Sequence, residues 1–104
     1  MNYKFNEDVI IAHLQNYIDA TYDQHYSMGR IQSTEFIFDA DQGEGFCIGN
    51  IIKYAQRFGK KDGRNDKDLY KVLHYAIILL GSIQEERERA FIDDEAQGSR
   101  KWQA

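Results

Sequence analysis

GFCIGNIIKYAQRFGKK, residues 45–61, decides how the rest of the chain is read. Wound as a helix at 100° per residue, it puts Ile48, Ile51, Ile52, Ala55 and Phe58 in one arc and Asn50, Lys53, Tyr54 and Arg57 opposite. The apolar arc predicts a core face. The other carries an amide, a phenol and two cations. Gly59 stands where a C-terminal cap belongs, so Lys60 and Lys61 leave the helix on the cationic side.

Outward from this stretch, other helices are expected. Asn6 is a good N-cap, Glu7 and Asp8 suit the positive end of a helix, and Ile10, Leu14, Tyr17, Ile18 and Thr21 recur at helical spacing over 6–24. Asp23–Arg30 breaks around Gly29 and reads as a loop, with His13 before it as a surface imidazole. Residues 31–41 have some strand propensity but no partner strand, so a short helix fits better. After a loop containing Gly63 and a cap at Asn65 or Asp66, Leu69, Val72, Leu73, Ala76, Leu80 and Ile83 form the stripe of a long helix. Asp68, Lys71 and Tyr75 share its other side. AIILL, residues 76–80, is apolar nearly all round, which predicts burial between subunits. The expectation is an all-α bundle of about four helices with a long C-terminal helix, oligomeric. One domain spans 1–92, and residues 93–104, without periodicity, read as a flexible tail with Trp102 loose or docked on a neighbour.

Composition narrows the function classes. At 104 residues the chain can bury roughly 65% of its unfolded surface, enough for a core without staples. Cys47 is the single cysteine, which excludes an intrachain disulfide and points to a buried thiol in a reducing compartment. No apolar run approaches a membrane span, and the start lacks a secretory pattern, so a cytoplasmic protein is expected. A net charge of −4 argues against general nucleic-acid binding. Neither G-x-G-x-x-G nor a Walker sequence is completed, which excludes a Walker-type kinase at the level of motif. The helix 45–61 offers no paired carboxylates of the kind an all-α pyrophosphohydrolase uses to hold Mg²⁺.

Lys53, Arg57, Lys60, Lys61, Arg64, Lys67 and Lys71 nevertheless fall within 19 positions. A solvated face with ordinary ion pairs fits this spacing. So does an anion site, with Arg57 as a planar fork on phosphate, Lys53 and Lys60 or Lys61 as mobile charges, Asn50 on a base or ribose, and Tyr54 stacked on a base.

His25 and Tyr26, then the core at 45–61, then DLYKVLHY at 68–75, resemble the SaV-like phage family. The likeness covers 25–80, and the chain is particularly similar to the C-terminal part of the T-odd coliphage nucleotide kinases. Val72 stands where the family usually has alanine, and the first helix and the missing N-terminal part are this chain's own departures. The resemblance implies a homo-oligomeric nucleotide-binding protein of the infected host's cytoplasm, kinase-like if it is an enzyme. Phosphoryl transfer would run from a nucleoside triphosphate to a (deoxy)nucleoside monophosphate, with no metal site assigned. His25 and Asp68 would be catalytic. Tyr26, Asn50, Lys53, Tyr54, Arg57, Lys60, Lys61 and Lys71 would bind nucleotide or phosphate. A non-catalytic alternative is a counter-defence protein that sequesters a cyclic or linear nucleotide signal.

Overall fold

The computed structural model describes residues 1–23 and 27–101, and folds them as four helices, α1 (Glu7–Asp23), α2 (Ser27–Asp39), α3 (Gly43–Arg57) and α4 (Asp66–Lys101), with no strand among the described residues. Each boundary has a local cause. At the start of α1, the Asn6 carbonyl accepts the Ile10 N–H and the Glu7 carboxylate accepts that of Phe5, 2.7 Å away. Asn6 itself has φ 56°, a left-handed conformation that asparagine tolerates.

α2 begins at Ser27, four residues before the helix expected from sequence, so Ser27–Arg30 is helix and not loop. Gly29 is carried inside it, because a single glycine weakens a helix without breaking it. The helix ends in a Schellman arrangement: the Gln42 N–H reaches the Ile37 carbonyl, the Asp41 N–H reaches that of Phe38, and Asp41 takes φ 60°. The chain turns straight into α3 there. Gly43 is buried against the Phe38 ring, so close that a Cβ would overlap it.

α3 closes at Phe58, whose N–H bonds to the Tyr54 carbonyl. Gly59 then adopts φ 84° and donates to the Gly63 carbonyl, a conformation that favours glycine. Asn65 caps α4, its side chain accepting the Lys67 N–H at 3.0 Å. The 36-residue α4 is about 54 Å long. It continues to Lys101, so helix replaces the aperiodic tail expected from Asp93 onward within the described residues; Trp102 lies outside them.

The antiparallel α3–α4 pair is the body of the molecule. α1 lies on α4 through Tyr17, which stacks on Tyr70 with centroids 5.6 Å apart, and α2 bridges α1 and α3. Here the sequence expectation is corrected. The face of α3 turned toward α4 carries Phe46, Cys47, Asn50, Tyr54 and Arg57, while Ile48 and Ile52, placed by periodicity in the core, stand 44% and 61% exposed beside exposed Ala55. Ile51 and Phe58 are half-buried at the edge. On α4, Val72, Ala76 and Ile83 are partly covered, but Leu69, Leu73, Ile77 and Leu80 are exposed. Cys47 is buried as expected, and His13 lies at the surface.

Candidate functional site

All four helices contribute to an open cleft of about 830 Å³. Tyr17 comes from α1, Arg30 from α2, and Tyr54, Lys71, His74 and Tyr75 from the α3–α4 pair. Spacing explains the α4 contribution, because Lys71, His74 and Tyr75 lie three and four residues apart on adjoining parts of one face. Tyr54 meets them from α3, its ring nearly parallel to that of Tyr75 (9°, centroids 6.2 Å apart). Phe46 supports Tyr75 edge-on at 5.6 Å.

Two cations are drawn to the Tyr54 ring. Lys71 Nζ lies 4.7 Å and Lys53 Nζ 5.0 Å from its centroid, within range of a cation–π attraction.

Burial sets the protonation of the other ring groups. Desolvation raises the Tyr17 phenol, and the Tyr54 and Tyr75 phenols raise it further against the lowering effect of Arg30. Desolvation likewise raises Tyr75, helped by Tyr54, with Arg30 again opposing. Both therefore remain hydrogen-bond donors at neutral pH. Burial lowers His74, which also meets Tyr17 edge-on at 6.0 Å, so its imidazole is neutral at pH 7 with one nitrogen donating and one accepting. The cleft thus combines flat rings and neutral donors with the cations Arg30, Lys71 and Arg89 and the carboxylates of Glu35, Asp39, Asp41, Glu44, Glu85 and Glu86.

Arg57 and Asp68 are placed elsewhere, in the α3–α4 seam. Arg57 Nε is 3.7 Å from Asp68 Oδ1, and its Nη2 is 3.7 Å from Asp62 Oδ2. Asp68 is only 3% exposed. These separations are ion pairs without hydrogen bonds, and Arg57 Nε and Asp68 Oδ2 have no other partner. Asn50 turns its amide back onto the Phe46 carbonyl at 2.9 Å. Lys60 and Lys61 are exposed in the α3–α4 connection and do not line the cleft.

Of the residues singled out in the sequence, the structure brings Lys53, Tyr54 and Lys71 together and joins Arg57 to Asp68. His25 and Tyr26 lie outside the described residues. Tyr17, Arg30, His74 and Tyr75 are additional cleft residues. Tyr75 had a signal in its spacing from Lys71, whereas Tyr17 at helical spacing looked like core and Arg30 like loop. Among the described residues no three His, Cys, Asp or Glu side chains converge, and no helix is long and apolar enough to cross a membrane.

The sequence of the chain has relatives among known proteins. Over 63 residues, 55% of this chain, it is 36% identical to the Gene 1.7 protein of Enterobacteria phage T3. It is also 36% identical over 50 residues, 48% of this chain, to an alanine–tRNA ligase of Lawsonia intracellularis. The matches span only 39% and 6% of those two relatives. No solved structure matches. The model of DUF3310, a protein family of unknown function, matches residues 20–77, which contain α2, α3, the loop after it and the first turns of α4. The chain belongs to the DUF3310 family.

Proposed function

We propose that the chain binds a nucleotide in the α1–α4 cleft and acts as a nucleotide kinase of the type its sequence resembles, passing a phosphoryl group to a (deoxy)nucleoside monophosphate. The observation that carries this reading is the approach of Lys71 to the Tyr54 ring, both lining the cleft, with Lys53, which does not line it, near the same ring. A base needs a π-face and a phosphate needs mobile positive charge, and the two are adjacent here. Similarity to a phage protein supports the same direction without supplying the chemistry.

In this reading Tyr54 and Tyr17 offer the base a stacking surface, Lys53 and Lys71 meet the phosphates, and neutral His74 supplies a donor and an acceptor. Lys60 and Lys61 reach the donor triphosphate from the connecting loop, and Tyr26 and Asn50 complete the nucleotide contacts. Arg57 and Asp68 act together: Asp68, being enclosed, orients Arg57, and His25 deprotonates or orients the accepting phosphate. A phosphate oxygen of the monophosphate forms a bond to the γ-phosphorus as the bond to the β–γ bridging oxygen breaks, giving two nucleoside diphosphates. Catalysis is then positioning plus charge neutralisation.

The test is phosphate transfer from a nucleoside triphosphate to each deoxynucleoside monophosphate with folded protein. Turnover abolished by Lys71→Ala supports the kinase. Binding without turnover at high protein concentration rejects the kinase and leaves the sequestering role.

A further inference from the structure

Arg30 is the one cation that α2 brings to the cleft. It reads as loop from sequence, and the family resemblance gives it no role. In the structure it is an exposed side chain near the start of α2. That helix meets α1 and α3, but among the described residues no contact joins it to α4. Arg30 and Lys71 therefore stand on facing walls, one on α2 and one on α4, with the open space of the cleft between the two helices.

The charge of Arg30 is felt by two phenols from two other helices. It opposes the rise that burial imposes on Tyr17 of α1 and Tyr75 of α4, and the Tyr54 phenol of α3 acts on the same two. Lys71 Nζ lies 4.7 Å from the centroid of the Tyr54 ring. A guanidinium, an ammonium and neutral hydroxyl donors thus gather at one end of the cleft, a donor set that matches the terminal oxygens of a phosphate.

The other end has the opposite sign. Arg30 is near the start of α2 and Asp39 is its last residue, about 13 Å away at the rise of a helix, with Asp41 and Glu44 following at the turn into α3. Along α4, Glu85 and Glu86 lie about 21 Å or more beyond Lys71. Arg89 adds little positive charge there, because Glu85 holds its Nη2 at 2.6 Å. Glu35 stands between the two ends. A phosphate is attracted to the Arg30 end and repelled from the other, so a nucleotide enters one way round.

We propose that Arg30 is a phosphate-binding residue of the cleft, gripping from α2 the same phosphate that Lys71 meets from α4, with the Tyr75 hydroxyl donating to a third oxygen. The assignment rests on the nucleotide reading of the cleft. A guanidinium has five N–H donors in a planar fork, so a phosphate adds to the contacts that Arg30 makes within the chain. The ligand then ties α2 to α4, which the chain alone leaves apart.

The test is calorimetric titration of the full chain with each deoxynucleoside monophosphate, beside Arg30→Ala, Arg30→Lys and Arg87→Ala. Arg87 is an exposed cation of α4 that does not line the cleft, so its removal controls for net charge. Arg30→Ala should weaken binding about tenfold or more, Arg30→Lys should lose less, and Arg87→Ala should bind as the unmodified chain does. Circular dichroism confirms that each variant is folded, as the exposure of both arginines leads one to expect. Unchanged affinity in Arg30→Ala overturns the assignment and leaves nucleotide binding standing, as does an equal loss in Arg87→Ala. Absence of binding by the unmodified folded chain removes both.

Discussion

Arg57 and Asp68 face each other across the α3–α4 seam with Nε 3.7 Å from Oδ1, the aspartate enclosed and the guanidinium 30% exposed. The pair couples the end of α3 to the first turn of α4, and the second carboxylate on Arg57, Asp62, lies in the connecting loop. Removing Asp68 leaves a half-buried cation with one exposed partner. Asp68→Ala should therefore destabilise the fold by about 1–3 kcal/mol, less than for a fully buried pair because water reaches the arginine. Urea unfolding measures it, and Arg57→Gln in the Asp68→Ala background should cost little more.

Tyr54 should separate stacking from hydrogen bonding. Loss of the ring in Tyr54→Ala should weaken nucleotide binding by about 1–3 kcal/mol, whereas Tyr54→Phe should retain most of the affinity. Calorimetric titration of both variants distinguishes them.

Acid should weaken the fold through His74. Its folded pKa lies below the ordinary 6.5, so the unfolded chain takes up the proton first as pH falls. Stability is complete above about 6.5 and declines between 6.5 and the lower folded value. At the alkaline end, Tyr17 and Tyr75 are raised above 10.0, so stability should fall as pH rises past 10. Thermal melts across pH should show both limbs, and His74→Gln should flatten the acid one.

Cys47 should resist thiol reagents in the native state. It is wholly buried, and desolvation raises its pKa, so little thiolate is present or reachable. Labelling should keep pace with unfolding as denaturant increases.

These expectations draw on features that differ in how far sequence revealed them. α1, α3 and α4 were legible because apolar residues recur at the helical period over several turns. The start of α2 was not, since Gly29 is a local weakness that neighbouring turns override. The two faces of α3 were legible, but not their partners: periodicity distinguishes Ile48 and Ile52 from Asn50 and Tyr54 without saying which side meets α4. Lys53, Tyr54 and Lys71 could be grouped from spacing and resemblance. Tyr17 and Arg30 reach the cleft only through the packing of α1 and α2, which no local pattern encodes.

The central claim is that the cleft holding Tyr54 and Lys71 binds a nucleotide. Its most direct test is calorimetric titration of the full chain with deoxynucleoside mono- and triphosphates, beside Lys71→Ala. Saturable binding by the unmodified chain, weakened about tenfold or more by loss of the ammonium, is the predicted result. No binding by the folded chain, or equal affinity in Lys71→Ala, contradicts it.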